Sequence, residues 1–483
     1  MFNIDCKPDR NNPLQLHVQI AEYIKGKIAR NEWPEGTKLP SQRTLAQIFG
    51  VNRSTVVTAF EELTAEGLIK GNMGGGTRII NNTCLLLSAK PQFNWSSHIT
   101  SGTYQSSQTI MQQINQSESD PDIIRMGTCE PSPELIPSSM IQGILNKMSK
   151  RTIPLGYGEL RGSIHLRKEI CQYLKTIGII TEPSCILITS GALQALQLIS
   201  HGLLYKGSMV YLEKPSYLYS LRIFQSSGFR LSGIPLDEEG ISIKELLTCQ
   251  KQNKGSMLFL IPTFHNPTGN VMSLERRKQL VKLCEAEHLP IIEDDVYREL
   301  WFDNQPPNPL KAFDKNELVL YIGGISKNLS PGLRIGWIAG PEQVIARLAD
   351  IKIQMDDGSS AISQYIASEL FTSGLYYEHN IEMRKNVKMR RDVTLAALNK
   401  YFTDIATWSI PVGSYYVWLK LNTSISMYKL FIKALKKKIL IHPGDLYEFR
   451  SNRYIRISYS YASLSEIEYA IKTLSELVAE QLK

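Results

Sequence analysis

The fold of this chain is indicated by the stretch SKNLSPGLR, residues 326–334. It follows an apolar run, Val319 to Ile322, that is typical of a buried strand. A lysine at the end of a strand, here Lys327, can form a Schiff base with a carbonyl cofactor held against it. Arg334 can bind the phosphate of that cofactor. The stretch therefore predicts pyridoxal phosphate chemistry.

Length and charge limit the number of domains and the kinds of partner. A chain of 483 residues is too long for one compact core and indicates two to four domains. Hydrophobic residues make up 43% and charged residues 21%, which is typical of a soluble globular protein. The formal net charge of +8 permits contact with nucleic acid but does not require it. The evidence for DNA binding must therefore come from local motifs.

Cysteine usage and hydropathy indicate the compartment. The seven cysteines are odd in number and dispersed, without a CxxC pair, which favours a reducing cytosol over a disulfide framework or a zinc site. No apolar run approaches the roughly 20 residues of a membrane span, and the N-terminus does not resemble a signal peptide. We expect a cytoplasmic protein with no membrane contact and no metal site.

The first eighty residues have the pattern of a helix-turn-helix. Apolar spacing predicts a helix over residues 13–30 and a second, short helix capped by Ser41 and ended by Gly50 in the left-handed conformation. A third helix begins at Asn52 and ends at Gly67. Its first turn would face base edges, and the residues there that can donate hydrogen bonds to DNA are Arg53, Ser54 and Thr55.

A glycine-rich hairpin follows the predicted recognition helix. Residues 68–70 and 79–80 read as two strands, and GNMGGGTR, residues 71–78, joins them. Glycines let a backbone approach the sugar-phosphate chain closely, so this hairpin can serve as a wing. A small helical adaptor is the alternative for the helix pair alone, and the wing favours DNA binding.

The segment KLPSQRTLAQIFGVNRSTVVTAFEELTAEGLI resembles the winged-helix domain of the GntR family of bacterial regulators. The resemblance covers about residues 12–80 and places the L-P-S-x-R start and the V-x-R-S-T turn at the family's spacing. It implies DNA contacts from Arg43, Arg53, Ser54, Thr55 and the wing glycines, including Gly75. Several members carry a second arginine where this chain has Val57, so the base preference is left open.

Residues 81–120 are rich in Ser, Gln, Asn and Thr and show little apolar periodicity, which predicts a linker. From residue 121 onward, short apolar strands alternate with helical patterns, as in an α/β domain with a mostly parallel sheet. The predicted strands are Ile186 to Thr189, Met209 to Leu212, Met257 to Ile261, Pro290 to Glu293, Val319 to Ile322 and Arg334 to Ile338.

Ligands of such sheets bind at the carboxyl ends of the strands, so the polar residues there are candidate ligand-binding residues. Gly191 and Ala192 open a helix and can form an anion site, although ordinary strand-helix turns look alike. Tyr217 can stack on a flat ring or belong to the core. Asn266 precedes a proline, which favours an extended conformation that directs its amide at the pocket.

Asp294 ends a buried strand among three carboxylates, which is costly without a partner. A protonated pyridine nitrogen is one such partner; a metal is the weaker alternative, because no histidine stands nearby at ligand spacing. Lys327 could be a surface lysine and Arg334 an ordinary ion-pairing residue. Their conjunction with Asp294 at consecutive strand exits argues for a cofactor site.

These motifs resemble the fold type I aminotransferases over about residues 120–480: YGELRGSIHLRKEI, HNPTG, EDDVY and SKNLSPGLRIG match the family's signatures. The resemblance implies a Schiff base on Lys327. It gives the following further roles: Asp294 on the pyridine nitrogen, Asn266 and Tyr297 on the phenolic oxygen, Tyr217 on the ring, Arg334, Ser326, Gly191 and Ala192 on the phosphate, and Tyr157 on the phosphate of the other subunit. Arg456 matches the arginine that binds an amino acid's α-carboxylate. Leu193 and Gly324 depart from the pattern, since relatives often have phosphate donors there.

The combination resembles the MocR type of bacterial transcriptional regulators. It implies a multidomain fold: a winged helix at 12–80, a linker at 81–120, and an α/β fold type I aminotransferase-like domain at 121–483. Within that domain we expect a large domain at about 150–345 and a small domain at about 346–483 plus about 121–149.

The implied function is a pyridoxal-phosphate-dependent regulator, a homodimer that binds a double-stranded DNA operator and senses an amine or amino-acid effector, or a B6 vitamer, through Lys327. The alternative is a catalytically active class I aminotransferase with an auxiliary DNA-binding domain. Because every core catalytic residue is present, slow turnover stays open.

Overall fold

The computed structural model describes residues 4, 7–10, 12–29, 32–33, 36–65, 68–72, 76–80, 109–150, 156–221, 223–448 and 451–482. The chain divides into two compact units, Met1–Ser101 and Gly102–Lys483, and each is described by itself. Over the described ranges, no helix combines the length and the apolar character that a membrane crossing requires.

The N-terminal unit is a helix-turn-helix followed by a hairpin. Its elements are α1 (Leu16–Ala29), α2 (Gln42–Phe49), α3 (Arg53–Ala65), β1 (Ile69–Asn72) and β2 (Gly76–Ile79). The two predicted caps of α2 are confirmed: the Ser41 hydroxyl accepts from the Thr44 amide at 3.1 Å, and Gly50 ends the helix at φ 66°. The short turn between α2 and α3 follows from the left-handed conformation of Gly50.

One apolar core holds the three helices together. Ile20, Ile24, Leu45, Val56 and Leu63 are each fully buried in it. β1 and β2 pair in antiparallel fashion with Lys70 opposite Arg78, so the predicted wing hairpin is present. Gly75, at its tip, lies outside the described residues.

The C-terminal unit is built on an eight-stranded sheet in the order β4-β11-β10-β9-β8-β5-β6-β7. Its strands are β4 (Ile186–Thr189), β5 (Met209–Lys214), β6 (Arg230–Asp237), β7 (Gly240–Ile241), β8 (Met257–Leu260), β9 (Ile291–Asp294), β10 (Val319–Gly324) and β11 (Gly336–Ala339). Pairing is parallel from β10 through β6, whereas β11 runs antiparallel to both of its neighbours. All four residues of β4, of β8 and of β9 are buried, as expected for strands covered on both faces.

Helices surround the sheet and complete the unit. They are Thr109–Ser117, Ser138–Met148, Ile164–Thr176, Ala192–Leu203, Ile223–Ser226, Ile243–Gln252, Leu274–Ala286, Glu342–Met355, Ala361–Thr372, Leu375–Tyr401, Met427–Lys436 and Leu464–Leu482. The C-terminal unit also has two smaller sheets. The first has the order β12 (Ala406–Trp408), β13 (Tyr416–Leu421), β16 (Tyr454–Ser458) and β15 (His442–Pro443), and the second pairs β14 (Ile439–Leu440) with β3 (Ile124–Arg125).

Three differences from the sequence predictions concern the site. The helix Thr109–Ser117 lies inside the predicted linker, and its Ile114 is buried in the core of the C-terminal unit. β6 was not predicted. Arg334 does not end a strand but precedes β11. Because β11 is antiparallel to its neighbours, its start lies at the edge of the sheet where the parallel strands end.

Candidate functional site

A cavity of about 430 Å³ lies at the carboxyl ends of the parallel strands. Its volume is within the range of small-molecule sites. Ten of the residues singled out from the sequence line it: Gly191, Ala192, Tyr217, Asn266, Asp294, Tyr297, Ser326, Lys327, Arg334 and Arg456. Most of them meet here because they end, follow or precede strands of the eight-stranded sheet, whereas Arg456 comes from β16 of the four-stranded sheet.

Lys327 lies three residues beyond the end of β10. Its Nζ donates to the carbonyl oxygen of Cys129 at 2.6 Å and lies 5.8 Å from the centre of the Tyr297 ring. Burial lowers the pKa of Lys327. A lowered pKa increases the fraction of neutral amine, which is the nucleophilic form.

Asp294 ends β9 and is 2% exposed. Its carboxylate accepts hydrogen bonds from the Tyr217 hydroxyl at 3.2 Å and the Val296 amide at 3.4 Å. Burial raises its pKa to about 7. A buried carboxyl that lacks a cation is suited to a positively charged or hydrogen-bearing ligand nitrogen. Within the described residues, no ion pair involves Asp294.

Asn266 joins two parts of the site. Its Nδ2 donates to the Tyr297 hydroxyl at 3.4 Å, and its Oδ1 accepts from the Arg456 guanidinium at 2.7 Å. Arg456 also donates to the carbonyl oxygen of Gly127 at 2.6 Å. Among the described residues, no carboxylate lies within ion-pair distance of Arg456. Neutral partners alone hold this buried cation.

Gly191 begins the helix Ala192–Leu203 with φ 86°, and a Cβ there would lie 2.6 Å from an Arg334 nitrogen. Arg334 donates to the carbonyl of Ser190 at 2.7 Å. A helix N-terminus beside a guanidinium is a site for a phosphate-like anion. Ser326 is half-buried and lines the same cavity.

Tyr157 does not line the cavity, and 88% of its surface is exposed. The resemblance assigned it to the other subunit's phosphate, a role that no contact within one chain can test. Tyr217 contacts Asp294 through its hydroxyl, which leaves the predicted stacking of its ring on a cofactor as a prediction.

Nine residues that line the pocket were not singled out from the sequence: Glu118, Thr128, Cys129, Glu130, Ser220, Val296, Pro331, His442 and Tyr447. The departures Leu193 and Gly324 line it as well. Thr128, Cys129 and Glu130 belong to the entry segment, residues 123–130, which pairs with β14 through Ile124 and accepts from the Ser458 amide at its Met126 carbonyl. A signal was present in Gly127, where a Cβ would lie 2.2 Å from the His442 ring.

His442 is buried and accepts at Nδ1 from Arg456 at 3.0 Å, with the Tyr447 hydroxyl 2.8 Å from the same nitrogen. Burial and the charge of Arg456 lower the pKa of His442 well below its ordinary value. The ring is therefore neutral near pH 7 and, because Nδ1 accepts from a guanidinium, its hydrogen is on Nε2.

The predicted DNA-contacting residues of the N-terminal unit lie on its surface. Arg43, Arg53 and Ser54 are exposed and Thr55 is half-buried on α2 and the first turn of α3. Within the described part of the chain, the side chains of Arg43 and Arg53 make no hydrogen bond or ion pair. They are free to contact base edges or phosphates.

Taken together, the cavity groups fit a flat, phosphorylated pyridine aldehyde. Lys327 offers an amine, Asp294 an unpaired buried carboxyl for a ring nitrogen, and Arg334 an anion site beside Gly191. Asn266 and Tyr297 supply polar groups between them for a ring oxygen. This donor set, with its single reactive amine in a buried cavity, is the chemistry that pyridoxal phosphate requires.

Comparison with known protein families identifies both units. The model of the class I and II aminotransferases matches residues 122–474, and that of the gntR family of bacterial regulatory proteins matches residues 16–79.

Among solved structures, the chain is similar to a kynurenine aminotransferase of Pyrococcus horikoshii in complex with PMP (30% identity, TM-score 0.75, covering 83% of this chain and 100% of that one). It is also similar to the α-aminoadipate aminotransferase LysN of Thermus thermophilus (27% identity, TM-score 0.73, covering 80% and 99%).

Relatives similar over nearly the whole chain are regulators. The HTH-type transcriptional regulators YdfD and YisV of Bacillus subtilis are 51% and 48% identical, each over 97% of both chains. NorG of Staphylococcus aureus, also an HTH-type regulator, is 34% identical over 90% of this chain and 98% of its own. The chain belongs to the MocR-type transcriptional regulators, in which a GntR-family DNA-binding domain is joined to an aminotransferase class I and II domain.

Proposed function

We propose that this protein is a pyridoxal-phosphate-dependent transcriptional regulator that binds operator DNA with its N-terminal unit and detects an amine-bearing effector with its C-terminal pocket. The observation that carries the proposal is that Lys327, Asp294 and Arg334 line one cavity in a chain that also has an exposed recognition helix. We assign the winged helix to residues 12–80 and the sensor to 121–483 together with the helix Thr109–Ser117, which packs in its core, so that the connection is the part of 81–120 before that helix. Binding to chromosomal DNA places its action in the cytoplasm.

When bound, pyridoxal phosphate supplies an aldehyde that condenses with primary amines. Lys327 is the attaching amine, and its lowered pKa keeps part of it neutral. Asp294 holds a hydrogen or a positive charge at the ring nitrogen. Arg334, Ser326, Gly191 and Ala192 bind the phosphate.

With pyridoxal phosphate bound, Lys327 would hold its aldehyde carbon, and an amine effector would compete with Lys327 for that position. Differential contacts of this kind are what an effector needs to favour one arrangement of the protein over another. Arg456 is placed to bind a carboxylate through its planar fork, which favours an amino acid over a simple amine. Tyr157 is exposed in the single chain, and we assign it to the phosphate site of a second copy, which makes the regulator a homodimer.

A working aminotransferase is the second candidate, and a specific observation favours it. The amine, the acid and the anion site are all present in the pocket, and the solved structures named above are aminotransferases. The two functions differ in turnover: an enzyme would transaminate amino acids at about 1 to 1000 per second.

The first test is borohydride reduction of the purified protein after incubation with pyridoxal phosphate, followed by peptide mapping. The label is expected on Lys327, and Lys327→Ala should carry none while still binding a promoter fragment. An amino acid should then change the promoter affinity of the wild type and not of this variant. A label on another lysine would remove the cofactor assignment, and turnover at the rates above would favour the enzyme.

A further inference from the structure

The pocket contains more charged groups than the proposed cofactor uses. Lys327, Asp294 and Arg334 are assigned to the aldehyde, the ring nitrogen and the phosphate. The remaining ionisable groups of opposite sign that line the cavity are Arg456, Glu118 and Glu130. One cation and two carboxylates are therefore left for the effector.

The cation is only partly satisfied. Arg456 is 3% exposed, and among the described residues its Nε has no hydrogen-bond partner, nor has the Nε2 of neighbouring His442. Buried donors without partners are costly, and a buried charge without a counter-ion is costlier. One donor of the guanidinium and one of the neighbouring ring therefore lack an acceptor, which indicates that an anion of the ligand binds here.

The two carboxylates lie on the wall formed by the entry segment and the end of the helix Thr109–Ser117. Glu118 accepts from the Thr128 hydroxyl at 2.7 Å, and both glutamates are only half-exposed. Over the described ranges, neither has an ion-pair partner. Glu130 lines the same cavity as Lys327. A cation of the ligand would find two acceptors here.

We infer that the effector is a basic amino acid: its carboxylate pairs with Arg456, and a second cationic group on its side chain pairs with Glu118 and Glu130. The inference rests on the proposed function, because the amine that reaches Lys327 is part of it. It narrows the effector from any amino acid to those whose side chain ends in an ammonium or guanidinium group.

The experiment measures ligand affinity by calorimetry on the full-length, cofactor-loaded protein, with the cofactor's absorption spectrum as a second readout. The ligands are lysine, norleucine, α-aminoadipate and cadaverine, which differ in the side-chain end group or in the carboxylate. Lysine should bind about tenfold or more tightly than norleucine, and both α-aminoadipate and cadaverine should be weaker than lysine.

Two variants assign the contacts. Glu118→Gln and Glu130→Gln should each weaken the affinity for lysine about three- to tenfold and change the affinity for norleucine by no more than about twofold. Glu287→Gln is the control, because this glutamate is exposed and does not line the cavity. Glu130→Lys should raise the affinity for α-aminoadipate. Thermal melting checks that every variant is folded.

The outcomes separate this inference from the proposed function. If norleucine binds as tightly as lysine, or if both glutamine variants bind lysine as the wild type does, the basic class is wrong while amino-acid sensing stands. If cadaverine binds as tightly as lysine, the proposed contact between the ligand carboxylate and Arg456 is wrong. If no amine or amino acid binds or alters the spectrum, the sensing function itself fails, and this inference fails with it.

Discussion

The DNA-facing surface and the pocket use the same kinds of side chain in opposite ways. Arg43 and Arg53 are exposed, and among the described residues their side chains make no hydrogen bond or ion pair. Arg456 is buried and tied to Asn266, which in turn contacts Tyr297. Replacing an exposed arginine removes only its own contacts, whereas replacing a pocket residue disturbs its neighbours. One surface consists of separable contacts and the other of a connected network.

The largest effect that tests this comparison is expected from Gly191→Ala. The added Cβ would meet the Arg334 guanidinium at 2.6 Å, on a backbone with φ 86° that alanine rarely adopts. Displacing the guanidinium also removes a charge-assisted contact to phosphate. Affinity for pyridoxal phosphate should fall about a hundredfold, measured by spectroscopic titration.

Gly332→Ala is the matched control, because it lies between Pro331 and Arg334 and its added Cβ would meet only the Ser330 hydroxyl, at 3.7 Å. It should bind the cofactor nearly as the wild type does. Equal losses in the two variants would mean that the loop, not the contact between Gly191 and Arg334, determines affinity.

A smaller effect is expected from Arg53→Ala on operator binding. Removing one exposed base contact should cost about 1 to 3 kcal/mol, measured by titration of a labelled promoter fragment, and should leave cofactor binding unchanged. Arg53→Lys separates two kinds of contact. It retains affinity if Arg53 contacts a phosphate and loses it if the planar fork reads a base. A change in cofactor affinity in either variant would contradict the separability of the two surfaces.

The smallest effect concerns a buried acid beside the pocket. Glu213 accepts from the Ile261 amide at 2.7 Å and lies 3.4 Å from His265, and burial raises its pKa to about 8. Burial also lowers the pKa of His265 to about 3, so both groups are neutral near pH 7. A raised acid pKa stabilises the fold below the ordinary value of about 4.5, and this contribution is lost as the pH rises through about 8.

Glu213→Gln stays neutral at every pH and should therefore lose less stability on alkalinisation. Relative to the wild type, its free energy of unfolding should rise by about 1 to 2 kcal/mol between about pH 6 and pH 8, measured by denaturant titration. Glu287→Gln, at an exposed site, should follow the wild type. If the free energy of unfolding depends on pH in the same way in all three proteins, the pKa of Glu213 is not raised by burial.

The sequence predicted six of the eight strands of the large sheet and the residues at their ends, because local signals determine them. β4 has the predicted bounds, and Ser41 and Gly50 cap α2 as expected, since apolar runs and caps act over a few residues. The residues at the strand ends meet in one cavity because a parallel sheet brings those ends to one edge.

The remaining parts of the site depend on contacts that are distant in the sequence. His442 and the entry segment come together through the pairing of β3 with β14 and of β15 with β16. The helix Thr109–Ser117 has a polar composition and is held by burial of Ile114, so helix propensity gave no sign of it. The direction of β11, which brings Arg334 to the pocket, is a property of topology.

The entry segment sets up a competition between the ligand and the protein's own backbone. Lys327 donates to the carbonyl of Cys129, and Arg456 donates to that of Gly127. A ligand that takes either donor must exchange with a backbone oxygen, an exchange of about 1 to 3 kcal/mol. The released carbonyls lie on the stretch that leads back along the chain, through Thr109–Ser117, toward the DNA-binding unit. We therefore expect a ligand in the pocket to change the hydrogen bonding of the Gly127 and Cys129 carbonyls.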